Sequence, residues 1–424
     1  MAHGGLTRED APVSARLASR PAWIRVLVVY AASRLVTTAL ALLSAALAPA
    51  DGRHGPDPSL MDYVVGWDAA WYREIALNGY PESVPVDDAG VVQQNAWAFM
   101  PVFPTIARIL AAAWPGAGFA SDDIWAVANA WGVAAGLVSL AAGFAACLAL
   151  HALLADRLGD DAALWGVVFV AAGPLGLLFQ VGYAESLFLA LALWALVAIS
   201  RERWAWLYAI VPVMAFTRPG ELALPLTIAL YGLWRLRTRR ERPLRRAEVV
   251  HILALGALGT VAGFAWPVIA NTVTGDPSAY FETELAWRRG WIGDAEGGFV
   301  PGEGWLQGAS VWAGLWGIPQ WAGYVLLALL AAAAVAIFFT PGVRALGIET
   351  RLWSASYLVY IALVLFPQSS TLRLLLPLAP LVAAIAGVRM LRSTRILVAV
   401  VFVALQFWWI HAMYGYGNAY FLIP

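Results

Sequence analysis

Long apolar runs are the feature that most constrains what this chain can fold into. A helix needs roughly 20 apolar residues to cross a bilayer core of about 30 Å, and about eleven runs approach that length. They cover residues 22–48, 124–155, 162–180, 184–200, 204–217, 219–236, 250–273, 319–340, 352–367, 372–388 and 396–414. With 61% hydrophobic and only 13% charged residues, the chain lacks the polar linkers that separate soluble domains. We therefore expect an all-α polytopic membrane protein with one domain over residues 21–424, preceded by a disordered cytoplasmic tail over residues 1–20.

Arginines in the connections between the runs predict the orientation of the bundle. Cytoplasmic loops carry an excess of basic residues, and arginines recur here in alternate connections. They are Arg16, Arg20, Arg157, Arg201, Arg203, Arg237, Arg239, Arg240, Arg242, Arg245, Arg246, Arg344, Arg351, Arg389, Arg392 and Arg395. This pattern places the N-terminus in the cytoplasm and two segments, residues 49–123 and 274–318, outside. Because both segments are rich in Trp, Tyr, Pro and Gly, we expect interfacial helices in them and the chemistry on that face.

The first outer segment contains a short amphipathic helix signal. Trp67, Trp71 and Ile75 recur at four-residue steps, and Gly79 suits a left-handed helix stop. Asp68 then falls in the first helical turn, where the helix dipole favours an ionised carboxylate and keeps a base available. From these residues alone, Asp68 is either a general base or simply a helix cap.

A proline-containing apolar stretch follows in the same segment, with Phe99, Pro101, Phe103 and Pro104. Pro104 fits the first turn of a helix, and the two prolines stiffen the approach to it. The stretch could border a groove for a lipid chain. The alternative is an ordinary interfacial segment with no substrate contact.

Three charged residues stand at the predicted outer ends of apolar runs. Glu185 begins one run, Arg218 lies in an outer turn, and Arg373 begins another run. Charges in such positions are costly and usually have a partner or a function. Because the guanidinium fork donates two parallel hydrogen bonds to phosphate, the arginines indicate a lipid phosphate. Glu185 could instead favour a helix N-terminus, and either arginine could snorkel to ordinary headgroups.

Other polar residues give weaker signals. Arg34 lies inside the first run, where it could snorkel or pair with an acid on another helix. Asp87-Asp88 and Asp122-Asp123 could hold a cation, although solvated turn acids are the simpler interpretation. With one cysteine, Cys147, and scattered histidines, the sequence has no metal-ligand spacing. We therefore expect no metal site and no cofactor, with a divalent cation still open to test.

Three motifs together resemble the PIG-V type of GPI mannosyltransferase, the second mannosyltransferase of that pathway, and its bacterial relatives. The first is Trp67-Asp68 followed by Tyr72, Ile75-Ala76 and Gly79-Tyr80. The others are Ala98-Phe99 with Pro101 and Phe103-Pro104, and the run Tyr183-Ala184-Glu185-Ser186-Leu187-Phe188. The resemblance covers mainly residues 60–220. It implies the GT-C membrane glycosyltransferase fold, a lipid-phosphate sugar donor and an acidic catalytic base in the first outer loop, which is Asp68 here.

These observations predict an inverting glycosyltransferase, specifically a mannosyltransferase that uses polyprenyl-phosphate-mannose on the outer face of a bacterial plasma membrane. Asp68 would be the base, with Trp67, Tyr72, Tyr183, Glu185, Arg218 and Arg373 around the donor phosphate and sugar. The expected partners are the donor, a glycan or glycolipid acceptor and membrane lipids. Because 27 acidic residues balance 27 basic ones, nucleic acid is not expected. A polytopic transporter or lipid flippase is the alternative, although transporters concentrate ionisable groups near the bilayer midplane.

Overall fold

The computed structural model describes residues 20–113, 124–293 and 298–424. Within these ranges the chain is helical and contains no strand. The helices are α1 (Ala22–Ala46), α2 (Leu60–Val64), α3 (Asp68–Asn78), α4 (Val102–Ala112), α5 (Ile124–Leu158), α6 (Asp160–Ala171), α7 (Glu185–Ser200), α8 (Trp204–Ala215), α9 (Ala223–Arg237), α10 (Arg246–Thr274), α11 (Ala279–Ile292), α12 (Glu303–Leu315), α13 (Gln320–Ala336), α14 (Pro341–Arg344), α15 (Ile348–Val364), α16 (Thr371–Leu374), α17 (Ala379–Ala383) and α18 (Arg392–Ile410). Apart from Arg20, the predicted N-terminal tail lies outside the described residues.

Among the residues that the structure describes, five helices are long and apolar enough to cross a membrane: α1, α5, α10, α13 with its 3₁₀ extension, and α18 with its π-helical extension. The prediction of a helical membrane protein is thereby supported, but eleven spanning helices are not confirmed. Other predicted spans are helices of 12 to 17 residues, such as α8 and α15. At 1.5 Å per residue these reach only about 18 to 26 Å. The predicted span 372–388 is a series of short helices and turns, because Pro377 and Pro380 interrupt it.

The predicted span 162–180 is also broken, and Arg34 stabilises the break. Helix α6 ends at Ala171, just before Gly173 and Pro174. The buried Arg34 guanidinium donates to the carbonyl oxygens of Ala171 and Gly176, and to Gln180 Oε1 at 3.2 Å. It therefore neither snorkels nor pairs with an acid. It joins the Ala171 carbonyl, which the end of α6 leaves without a helical partner, to the Gly176 carbonyl at the start of the following 3₁₀ helix.

Ion pairs identify one end of the bundle as the arginine-rich end. Arg25 near the start of α1 and Arg395 near the start of α18 pair with Asp160 and Asp161 at the start of α6. Arg242, in the connection between α9 and α10, pairs with Glu202 just before α8. Helix α6 runs away from this end, and α7 runs back towards it, so α7 begins at the opposite end.

The two predicted outer segments pack together at that opposite end. The first contributes α2, α3 and α4, and the second contributes α11 and α12. Asn95 of the first donates to Thr283 Oγ1 of the second at 2.8 Å. The Trp287 ring lies 5.9 Å from Trp71 and 5.8 Å from Phe99. The expectation of short helices in both segments is confirmed, and both stand over the ends of the longer helices.

Candidate active site

Asp68 is the first residue of α3 and is positioned by a strained residue before it. Trp67 has a φ of 55°, a conformation that non-glycine residues seldom adopt. Two contacts hold it there: its indole Nε1 donates to Met413 O at 3.0 Å, and the Arg53 guanidinium stacks 3.8 Å from its ring centroid. Helix α3 ends as predicted at Gly79, whose φ is 77°. The backbone therefore presents Asp68 from a fixed point.

Asp68 belongs to a buried cluster of four charges, which we call the ion-pair cluster: Asp68, Glu185, Arg218 and Arg373. Arg373 Nη1 donates to Asp68 Oδ2 at 2.5 Å, and its Nε lies 3.3 Å from Glu185 Oε1. Arg218 Nη1 lies 3.8 Å from the same glutamate oxygen. The side chains of Glu185, Arg218 and Arg373 are 3 to 8% exposed, whereas that of Asp68 is 21% exposed. Asp68 is therefore the most accessible member.

Each member of the cluster comes from the end of a helix or from a short helix. Glu185 is the first residue of α7, Arg218 lies between α8 and α9, and Arg373 lies in the four-residue α16. These termini meet at the end of the bundle opposite the arginine-rich end. The sequence prediction that the four residues share one face is thus supported, and the structure places them in contact.

The cluster decides between the alternatives for three residues. The helix cap of α3 is Trp67, and no side chain caps it, so Asp68 is not a capping residue. Arg218 and Arg373 are buried and paired, which excludes snorkelling to lipid headgroups. Glu185 does stand at a helix start, but it also contacts both arginines and so fixes their positions.

Unsatisfied donors surround the arginines. Arg218 Nη1 and the hydroxyls of Ser370 and Thr371 are buried and find no partner that meets hydrogen-bond geometry among the described residues. The hydroxyls of Tyr183 and Tyr414 are buried beside each other. The Arg373 guanidinium lies 5.1 Å from the Tyr183 ring centroid. Since buried donors without partners are costly, this part of the protein is suited to an oxygen-rich ligand.

The predicted aromatic and proline residues pack against one another beside α3. Tyr72 is buried and packs edge-on against Phe99 at 5.2 Å and Phe103 at 5.3 Å between ring centroids. Pro104 is the third residue of α4, as predicted, and its carbonyl accepts from Trp131 Nε1 at 3.4 Å. Phe99, Phe103 and Pro104 are buried, whereas Pro101 is half-buried. The two phenylalanines therefore pack against α3, and a lipid groove bordered by Phe99, Pro101, Phe103 and Pro104 stays a prediction.

The sequence analysis missed Glu284, which α11 carries into electrostatic reach of Asp68. Burial raises the pKa of Glu284 to about 7; Tyr280 opposes the rise, and the negative charge of Asp68 adds to it. Burial also raises the pKa of Asp68 above its ordinary value, and Arg373 partly offsets that rise. Of the two carboxyls, Asp68 has the cationic partner and holds the negative charge more readily. An acid within an aromatic outer segment was the available signal for Glu284.

The described residues contain no group of acids, histidines and cysteine arranged to hold a metal ion. Asp87 instead organises its own loop by accepting from the backbone N–H groups of Ala89 and Val91, each at 2.9 Å. The turn interpretation of Asp87 is therefore the better one. Asp122 and Asp123 lie outside the described residues.

Fold and site together define a helical membrane protein with a buried ion-pair cluster and unsatisfied donors at one end of its bundle. No protein-family model matches the sequence, and no curated protein matches it. An assignment of activity therefore depends on the chemistry of this cluster and on the motifs that surround it.

Proposed function

We propose that the protein is an inverting, metal-independent glycosyltransferase of the GT-C type that takes its sugar from a polyprenyl-phosphate donor. The sugar is mannose, following the resemblance of the motifs around Asp68 and Glu185. The observation that carries the proposal is the direct contact of an accessible carboxylate, Asp68, with Arg373, next to a second arginine. A base beside a phosphate-binding pair of arginines is the minimum machinery for transfer from a sugar phosphate.

The reaction assigns one role to each member of the cluster. The acceptor hydroxyl oxygen attacks C1 of the donor sugar, and the C1–O bond to phosphate breaks. The acceptor proton passes to Asp68, and polyprenyl phosphate leaves as a phosphate monoester held by Arg218 and Arg373. Glu185 keeps the two arginines in position through its contacts at 3.8 and 3.3 Å. Attack opposite the leaving group inverts the configuration at C1.

Charge is conserved within the cluster during this step. The two carboxylates balance the two arginines before the donor arrives. As Asp68 takes the proton, it becomes neutral and its ion pair with Arg373 is lost. The departing phosphate gains one negative charge at the same time. Arg373 can therefore transfer its hydrogen bond from Asp68 to the phosphate as charge develops there. Stabilisation of that kind is usually a large part of the catalytic effect.

The location of the charges favours an enzyme over the alternative, a transporter or flippase. Transporters bind substrate near the bilayer midplane, at helices broken in the middle of the membrane. Here Asp68, Glu185, Arg218 and Arg373 lie at helix ends or in connecting segments on one side of the bundle. Such a position suits a reaction at the membrane surface.

The test uses the full-length protein in liposomes with radiolabelled polyprenyl-phosphate-mannose and extracted bacterial lipids as acceptors. We expect label to appear in a new glycolipid or glycan, with release of polyprenyl phosphate. Liposomes that contain Asp68→Asn protein should give no product above background. Absence of product with every polyprenyl-phosphate sugar tested, together with movement of labelled lipid between leaflets, would replace the enzyme proposal by the flippase.

A further inference from the structure

A surface cavity of about 300 Å³ lies beside Trp67, outside the ion-pair cluster. Its walls come from the first outer segment and from the C-terminal residues that follow α18. The side chains that line it include Arg53, Trp67, Asn418, Tyr420 and Ile423. A cavity of this size is at the small end of the range for small-molecule sites.

The walls are built by specific contacts. Arg53 N–H donates to Tyr416 O at 2.8 Å, and Asn418 Nδ2 donates to Asp51 O at 3.1 Å. Gly417 has a φ of 52°, and a Cβ there would lie 2.8 Å from Cζ2 of Trp67. Only glycine lets the C-terminal segment approach Trp67 so closely. The cavity is therefore a defined feature of the fold.

The lining combines aromatic rings with both kinds of hydrogen-bonding group. Trp67 and Tyr420, which is 46% exposed, supply apolar faces. Arg53 makes no ion pair with any residue that the structure describes, so its edge donors are free. The Asn418 side-chain oxygen adds an acceptor, and the Asp51 carboxylate lies behind Asn418, 3.3 Å from its amide nitrogen. A sugar ring, with an apolar face and hydroxyls that donate and accept, matches this set. Because the nearby Asp51 carboxylate balances the positive charge of Arg53, the site suits a neutral ligand.

Trp67 links the cavity to the chemistry. It lines the cavity and immediately precedes Asp68, so a molecule in the cavity contacts the residue that positions the base. The arginines of the cluster come from other parts of the chain, the α8–α9 connection and α16. We propose that the cavity binds the acceptor of the transfer reaction, and that the acceptor presents a neutral saccharide there. The inference rests on the proposed function for its catalytic part, whereas saccharide binding stands on the cavity alone.

Two measurements test it, and both use the full-length protein in nanodiscs. The first is equilibrium dialysis of radiolabelled octyl α-mannoside without donor, with octanol as the competitor that lacks a sugar. We expect saturable binding that Tyr420→Ala and Asn418→Ala each weaken about fivefold or more, since each removes one sugar contact. Trp316→Ala is the matched control, because Trp316 is an exposed aromatic residue that does not line the cavity.

The second measurement is steady-state transfer to the same mannoside. Tyr420→Ala should raise the acceptor KM by the factor seen in binding, with donor KM unchanged. A thermal unfolding midpoint equal to that of wild type shows that the variant is folded. If Tyr420→Ala does not fold, Asn418→Ala replaces it in this measurement.

Binding that octanol abolishes as well as excess mannoside does, or that neither cavity variant weakens, overturns the saccharide site. A donor KM that rises with the acceptor KM overturns the separation of the two sites. If wild-type protein binds the mannoside but transfers no sugar from any donor, the proposed function and the acceptor role fail together, and the cavity remains a saccharide site.

Discussion

Asp68→Asn is the substitution that best separates a general base from a structural ion pair. The side chain keeps its size and an oxygen that can accept from Arg373 Nη1, now 2.5 Å from Asp68 Oδ2. Arg373 also keeps Glu185, 3.3 Å from its Nε, as a charged partner. The variant leaves the cluster with one net positive charge, but each arginine still has Glu185 as a charged partner, and we expect the protein to fold.

Two magnitudes follow from these contacts. A hydrogen bond to a charged group contributes about 1.5–3 kcal/mol and one to a neutral group about 0.5–1.5, so the free energy of unfolding should fall by about 1–2 kcal/mol. Loss of a general base should lower kcat by about 100-fold or more, which is about 2.7 kcal/mol in the activation barrier. Donor affinity should stay equal or increase, because the neutral amide of the variant neither repels the donor phosphate nor competes with it for Arg373. A stable protein that binds donor well but hardly turns over is the expected result.

The assay measures kcat, donor dissociation constant and thermal midpoint on one preparation of each protein. Asp62→Asn is the matched control: it is the same substitution in the same outer segment, on a half-buried carboxylate that completes the capping box of α2 with Ser59. It should keep wild-type turnover. Near wild-type turnover in a stable, donor-binding Asp68→Asn protein would remove Asp68 from the mechanism, and weakened donor binding would refute the competition for Arg373.

Three further outcomes follow from the site. Arg218→Ala and Arg373→Ala should each raise donor KM about tenfold or more. Substitution by Lys should restore donor KM only in part, because a point charge lacks the bidentate fork of the guanidinium. Wild-type donor kinetics in both Ala variants would contradict phosphate binding. Burial raises the pKa of Glu284 to about 7, so this carboxyl becomes anionic above that pH and should repel the donor phosphate. Donor KM should therefore increase between about pH 6 and 8 in wild type and stay constant in Glu284→Gln. Equal pH profiles of donor KM in the two proteins would refute this. Transfer should persist in EDTA, and a loss that magnesium or manganese restores would show a metal site.

Local patterns predicted α3 well. The four-residue recurrence of Trp67, Trp71 and Ile75 and the stop at Gly79 are properties of a few neighbouring residues, and the helix has those limits. The strain at Trp67 was not predictable in this way, because it depends on Met413 and Arg53, which come from distant parts of the chain. The packing of Phe103 against Tyr72 was missed for the same reason.

Hydropathy could not show where an apolar run stops being helical, because it counts apolar residues and not helical hydrogen bonds. The run 162–180 is apolar throughout, yet its helix ends at Ala171, and Arg34 completes the break from another helix. For the charged residues, the sequence predicted their location but not their contacts. Topology placed Asp68 and Arg373 on one face although 305 residues separate them, but it could not show that they touch. Glu284 was missed because its aromatic neighbours are only a weak signal and its approach to Asp68 depends on the fold. Nothing in the neighbours of Tyr420 distinguishes it from an ordinary surface residue.

The ion-pair cluster is hard to explain as a device for stability. Removing charges from water costs several kcal/mol per ion, and apolar residues of similar volume often stabilise a protein as well or better. The contacts are also uneven. Arg373 Nη1 is 2.5 Å from Asp68 Oδ2, whereas Arg218 Nη1 approaches Glu185 only to 3.8 Å and has no hydrogen bond to any residue that the structure describes. A cluster built for stability would satisfy that donor. A cluster that exchanges one of its carboxylate contacts for a phosphate needs a free donor beside a paired one, and the geometry around Arg218 and Arg373 provides both.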